Sequence, residues 1–222
     1  MSESWTWPEP LFRDRAAAGR LLARHLEEER AGDAVVVGLA RGGVVVAAEV
    51  ARSLGLPLDA VAVRKVGHPL QHEYAIGAVA PGDGVYVRAH DGLTEAELDE
   101  AVAAAGKEAA ELDRRLHAER PALELTGRPC ILVDDGLATG STMIAAARWA
   151  RACGASRIVA AVPVGAKATA DLLGQESDAV VCPHRPAAFL AVGPWYEVFG
   201  QVDDEEVVRL LAETRTADAP VS

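Results

Sequence analysis

The segment Cys130-Ile-Leu-Val-Asp-Asp-Gly-Leu-Ala-Thr-Gly-Ser-Thr142 gathers the residue types that can do chemistry. An apolar run predicts a buried strand, and two carboxylates, Asp134 and Asp135, follow it. A loop of small residues, Ala138, Thr139, Gly140, Ser141 and Thr142, then runs into a predicted helix. Ligands of open α/β sheets bind beyond the carboxyl ends of the strands. A loop of this kind at a helix N-terminus can aim backbone N–H groups and hydroxyls at one phosphate, which the helix dipole favours. Adjacent carboxylates would repel that anion, so they need another role, such as accepting hydrogen bonds from sugar hydroxyls or helping to hold Mg²⁺. Together the two parts fit a phosphorylated sugar. The plainer reading is a pair of aspartates that only cap a turn.

A second glycine turn, Gly38-Leu-Ala-Arg-Gly-Gly43, offers Gly42 and Gly43 for close backbone approach and Arg41 as a bidentate donor. Alone it also fits an ordinary strand-to-helix turn with a surface arginine. Rival phosphate signatures are missing from the sequence: no Lys follows Gly140 as a P-loop requires, and the second turn is not GxGxxG. His68 and His72 are four apart, but Pro69 between them argues against a helical metal face.

These residues must be positioned by the elements around them. The spacing of Ala17, Leu21, Leu22 and Leu26 after Asp14 predicts a helix, with Gly32 as its stop. Strands are expected at 34–40 and 58–64, a helix over 44–54, and a polar loop over 66–73. A hairpin is expected from 74–80 to 85–88. Thr94 and Glu97 match a capping box, and Leu98, Val102, Ala105, Ala109, Leu112 and Leu116 form one stripe, either core or a face for another subunit. Strands at 129–133, 157–162 and 178–181 alternate with helices at 141–153 and 167–173. That alternation implies an α/β fold with a mostly parallel sheet flanked by helices. An acidic helix is expected over 203–213. Residues 1–12 read as an irregular arm and 216–222 as a frayed end.

Val133-Asp134-Asp135 with Ala138-Thr139-Gly140-Ser141-Thr142 resembles the phosphoribosyl diphosphate (PRPP) motif of type I phosphoribosyltransferases. The wider pattern, including GLARGGVVVAAEVA, RKVG, AIGAVA and AVPV, is similar to a bacterial subgroup described as predicted phosphoribosyltransferases. The resemblance covers about residues 30–182. It implies that Asp134 and Asp135 hold the ribose hydroxyls, directly or through Mg²⁺-bound water, and that Ala138 to Thr142 hold the 5′-phosphate. It assigns pyrophosphate to Ala40, Arg41, Gly42 and Gly43. A mobile loop with basic residues would close over the substrate, and Arg64 and Lys65 are its candidates. The implied catalytic set is Asp134, Asp135, Arg41 and Lys65. Ala138 stands where relatives acting on 6-oxopurines carry an aspartate, which weakens a hypoxanthine or guanine assignment. The acceptor hood would come from residues 1–30 and 183–200, with Phe189, Trp195 and Tyr196 for stacking and Glu197 for a ring N–H.

The implied activity is transfer of the 5-phosphoribosyl group of PRPP to a nitrogen nucleophile, with pyrophosphate released. A PRPP-binding sensor without turnover is the alternative. The whole chain is expected to be one such domain, and the resemblance implies pairing as a homodimer. Net charge is -11, from 22 basic and 33 acidic residues. That balance disfavours nucleic acid as a partner and leaves room for one small, metal-bound anion. Three cysteines with no CxxC spacing suit a reducing cytoplasm and neither a disulfide framework nor zinc. No signal peptide or membrane span is expected from the apolar runs.

Overall fold

The computed structural model describes residues 9–30, 32–88 and 92–215, without the side chains of His72, Glu73 and Arg215. The expectations for residues 1–8, for 216–222 and for the His72 side chain lie outside the described residues. The chain runs α1 (Arg15–Arg24), β1 (Val35–Ala40), α2 (Gly42–Leu54), β2 (Leu58–Ala62), β3 (Arg64–His68), β4 (Gln71–Val79), β5 (Val85–Val87), α3 (Glu95–Leu116), β6 (Pro129–Val133), α4 (Ser141–Ala152), β7 (Arg157–Ala161), α5 (Lys167–Leu173), β8 (Ala179–Val181) and α6 (Asp204–Arg215).

Five strands form a parallel sheet in the order β2-β1-β6-β7-β8. The strands are apolar on both faces because both faces are covered. Val36, Ile131, Val133, Val159 and Ala161 meet α1, α2, α6 and the end of α3 on one side. Val35, Val37, Leu132, Ile158 and Ala160 meet α4, α5 and β4 on the other. So β1 and β6 lie side by side while the helices that follow them leave to opposite faces. That is a topological switch point, and a crevice opens there.

The loop expected over 66–73 is instead part of a hairpin. β3 pairs antiparallel with β4, and β4 with β5, in a separate three-stranded sheet. Arg64 therefore begins β3 rather than ending the strand before it. The reason is a period-two alternation across Arg64–His68 in which Val66 and His68 face inward and Lys65 and Gly67 outward. Val66 packs with Ile76, Val79, Leu98 and Ala105. The polar letters of this segment concealed that alternation.

The stripe of α3 is spent within the chain. Its N-terminal half packs on the hairpin and its C-terminal half, through Leu112 and Leu116, on the main core. The Thr94 and Glu97 capping box is present. Helix α1, expected in the hood, belongs to the core: Leu22 and Leu26 are fully buried. It packs closely on α2, since a Cβ on Gly19 would lie 2.6 Å from the Val46 carbonyl.

A polar clamp joins distant elements at the β2 edge. Asp59 is buried and accepts from Arg120 Nη2 at 2.9 Å, from the Leu123 N–H at 2.6 Å and pairs with His117 Nε2 at 3.1 Å. Arg120 also donates to the carbonyls of Leu58 and Leu211. Hydrogen bonds to Asp113 and Asp59 raise the His117 pKa to about 10.

Candidate functional site

Asp134 and Asp135 follow β6 at the crevice. The Asp134 N–H donates to the Ala161 carbonyl at 3.2 Å, and the Asp135 N–H donates to Asp134 Oδ1 at 2.9 Å. Burial raises the Asp134 pKa well above the carboxylate range, and the Asp135 charge raises it further. The hydrogen bond from the Asp135 backbone and the Arg15 and Lys65 charges oppose this. Burial also raises Asp135, and Arg15 opposes it.

The turn after β1 presses against these carboxylates. A Cβ on Gly43 would lie 2.7 Å from the Val133 carbonyl and 2.9 Å from Asp134 Cα, and one on Gly42 would collide with Asp135 Oδ2. Glycine is what lets α2 begin there. Both Gly43 neighbours are backbone atoms and cannot step aside. Gly43→Ala is therefore expected to cost about 1–3 kcal/mol, the range of core overpacking, as a lower midpoint in urea at unchanged slope. An unchanged midpoint would mean that α2 is not seated as described. The peptide between Ala40 and Arg41 is cis.

Gly140 closes the loop after the carboxylates with φ +79°, a left-handed conformation that glycine adopts freely. Thr169 Oγ donates to the Ala138 carbonyl at 2.8 Å and braces the loop. Thr139 is exposed, while Gly140 and Ser141 are buried. Side chains cap α1 (Asp14), α3 (Thr94) and α6 (Asp203, accepting from the Glu206 N–H at 2.7 Å). Helices α2 and α4, which begin at the carboxyl ends of β1 and β6, have no side-chain cap, and neither does the short α5. The first N–H groups of α2 and α4 have no acceptor within their own helices. The site thus presents two positive helix ends and two carboxylates in one crevice.

Arg15, at the start of α1, is a site residue that sequence reasoning missed. Its Nε donates to Asp135 Oδ2 at 2.8 Å, its Nη1 donates to the Gly200 carbonyl at 2.8 Å, and its guanidinium lies 3.8 Å from the Phe199 ring centre. No spacing signal links residues 120 apart; the only hint was an arginine directly after the cap Asp14.

The hood aromatics turn inward. Trp195 and Tyr196 are buried, and Phe189 and Trp195 stack at 5.8 Å and 5°. The Tyr196 hydroxyl donates to the Asp135 carbonyl at 2.6 Å, and burial raises its pKa. The expected stacking platform of Phe189, Trp195 and Tyr196 is therefore largely a small satellite core with Phe12, Ala18 and Val164. Such large apolar surfaces gain more by burial than by waiting for a ligand. Glu197 and Phe199 are exposed. A seam joins residues 11–13 to residues 195–198 here: Leu11 and Phe12 N–H donate to the Trp195 carbonyl, and Glu197 and Val198 N–H to those of Phe12 and Arg13.

Among the expected cations, Arg41 Nε donates to Asp204 Oδ1 at 2.6 Å. Arg64 lies 3.9 Å from Glu108. Lys65 is exposed and close enough to act on the Asp134 charge. It also lines a cavity of about 530 Å³ between the hairpin and α3, bordered by His68, Glu97, Glu100 and Glu108. That cavity holds neither the aspartates nor the small-residue loop. No helix among the described residues is long and apolar enough to cross a membrane.

The architecture and the crevice define an α/β protein with an anion-suited site at the carboxyl edge of its sheet. The family model for the phosphoribosyl transferase domain matches residues 13–172, and the chain belongs to that family. Two Mycobacterium tuberculosis proteins, Rv0571c from strain H37Rv and MT0597 from strain CDC 1551, carry provisional phosphoribosyl transferase names. Each is 46% identical over 206 residues, covering 90% of this chain and 46% of the relative. The chain thus spans about half the length of the curated relatives it matches. The crystal structure of TT1426 from Thermus thermophilus is 42% identical, with a TM-score of 0.78 over 91% of this chain and 98% of that one. The sheet and its flanking helices are those of the type I phosphoribosyltransferase fold.

Proposed function

We propose that the protein transfers the 5-phosphoribosyl group of PRPP to a nitrogen nucleophile and releases pyrophosphate. The observation that carries this reading is the meeting of two uncapped helix ends with the Asp134 and Asp135 pair at the switch point. The start of α4, with Thr139, Gly140, Ser141 and Thr142, receives the 5′-phosphate. Asp134 and Asp135 accept from the ribose hydroxyls, and Arg15 fixes the Asp135 carboxylate. The turn at Ala40, Arg41, Gly42 and Gly43 takes the diphosphate, with Arg64 and Lys65 nearby.

Pyrophosphate is already a good leaving group. The protein's work is then orientation and electrostatic help as charge moves onto the departing oxygens. Arg41 and the α2 N-terminus face that charge, while the two carboxylates favour the cationic character that develops on the ribose. Closing the hairpin or the hood over the crevice would exclude water and protect PRPP from hydrolysis. Ala138 carries no acid or base group, so the acceptor's proton is not taken there.

The donor set fits magnesium only together with the substrate. It offers two carboxylates, one already held by Arg15, and the described residues contain no cluster of three metal-binding side chains. Magnesium keeps several waters and takes one or two carboxylates alongside substrate phosphates. When bound, it would neutralise diphosphate charge.

A pyrophosphate-release assay with Mg²⁺, PRPP and a panel of bases and amines tests the reading. Release that depends on an acceptor is expected. Binding of PRPP without release from any acceptor would favour a sensor, and absence of PRPP binding would overturn the site.

A further inference from the structure

Three guanidinium groups and two carboxylates, Asp204 and Glu108, lie beside the turn after β1. Asp204, in the first turn of α6, takes Arg41 Nε on Oδ1 at 2.6 Å and Arg115 Nη2 on Oδ2 at 3.2 Å. Arg64 is the third cation. Burial lowers its pKa, the Arg41 and Arg115 charges lower it further, and Glu108, 3.9 Å away, and Asp204 oppose this, so these side chains share one neighbourhood. Asp204 is not occupied in capping its own helix, because Asp203 does that. Its two oxygens therefore serve two arginines from two other elements, and Arg41 lies 163 residues away in the chain.

The pairing is also open to solvent. The Arg41, Arg115 and Asp204 side chains are 42%, 59% and 24% exposed. Exposed ion pairs of this kind shift an equilibrium by about two- to five-fold each, far less than a polyanion gains from several guanidinium groups. A single carboxylate carries one charge, whereas a diphosphate brings several charges and more acceptor oxygens.

We propose that Asp204 is an internal stand-in for the diphosphate, displaced when that ligand binds, and that Arg115 on α3 is a further residue of the diphosphate subsite. This rests on the phosphoribosyl-transfer reading of the crevice. Arg41 and Arg115 turn from Asp204 to the ligand, and Arg64 adds a third positive charge at its edge. The C-terminal helix thereby sets the affinity for the leaving group without touching the sugar.

The test is calorimetric titration of the full chain with inorganic diphosphate and Mg²⁺ at fixed ionic strength. Asp204→Asn is expected to tighten binding about three- to ten-fold, since two exposed pairs no longer compete. Arg115→Gln is expected to weaken it several-fold, and to do so in the Asp204→Asn background as well. A purely structural role would instead lower the Asp204→Asn melting temperature and leave the affinity unchanged or weaker, which overturns the proposal. Arg41→Gln separates the two levels. If it abolishes diphosphate binding while Asp204→Asn does not tighten it, the subsite stands and the stand-in fails. If Arg41→Gln has no effect, or the wild-type protein binds no diphosphate, the reading of the crevice fails as well.

Discussion

Asp134→Asn is expected to remove phosphoribosyl transfer and to make the protein more stable. Asp134 is a buried carboxylate beside a second one, and both features penalise its charge. Asparagine keeps the shape and an acceptor oxygen for the Asp135 N–H, but relieves the like-charge contact. Relief of about 1 kcal/mol or more would raise the melting temperature by about 2–4 °C. Loss of the charge facing the ribose should lower turnover by about 100-fold or more. Asp135→Asn should behave differently, because it strips Arg15 of its ion-pair partner and gains no comparable relief. The double variant should stay folded and lose binding of PRPP with Mg²⁺. Calorimetry and pyrophosphate release on the three variants check this; near-normal PRPP binding by the double variant would sink the site. Opposite movement of stability and activity marks a functional charge kept at a cost to folding.

Asp59→Ala should have the largest effect on stability and almost none on chemistry. It leaves Arg120 and His117, each with a side chain 10% exposed, as cations without their buried anion. Breaking a buried pair in this way costs about 3–5 kcal/mol. For a chain of this length the melting temperature should fall on the order of 10 °C, with turnover per folded molecule retained. The same clamp gives a pH dependence. The His117 pKa is raised to about 10 from the ordinary value of 6.5. A raised value means that protonated His117 stabilises the folded chain fully below about pH 6.5, and that this contribution is lost as pH rises through about 10. Melting temperatures from about pH 6 to 10 should therefore decline in the wild type and decline less in His117→Gln. Parallel curves would show that His117 is not the titrating group.

The parallel sheet was legible because its strands and helices are strongly patterned, and the loop at Ala138 to Thr142 because its chemistry is local to one short segment. The β3–β4 hairpin was not, since Arg64, Lys65, His68 and Gln71 make its turn side read as a polar loop, while its burial rests on Val66, His68, Ile76, Ala78 and Val79. The hood aromatics read as a platform because composition cannot distinguish a ring awaiting a ligand from one stacked on its neighbour. Arg15, Arg115 and Asp204 were illegible for a different reason. Each acts on a residue of the crevice from far along the chain or through an intermediate, and no one-dimensional period encodes such a meeting.

The seam between residues 11–13 and 195–198 also sets an order of events in synthesis. Phe12 cannot meet Tyr196, nor Arg15 meet Phe199 and Gly200, until residues 196–200 have left the ribosome. Contacts of such long sequence separation come late on entropic grounds as well. A nascent chain that has reached α5 already holds β1, β6 and both aspartates, yet lacks the Tyr196 hydroxyl and the far side of the Arg15 brace. Residues 196–200 thus complete the rim of a crevice whose floor was made long before.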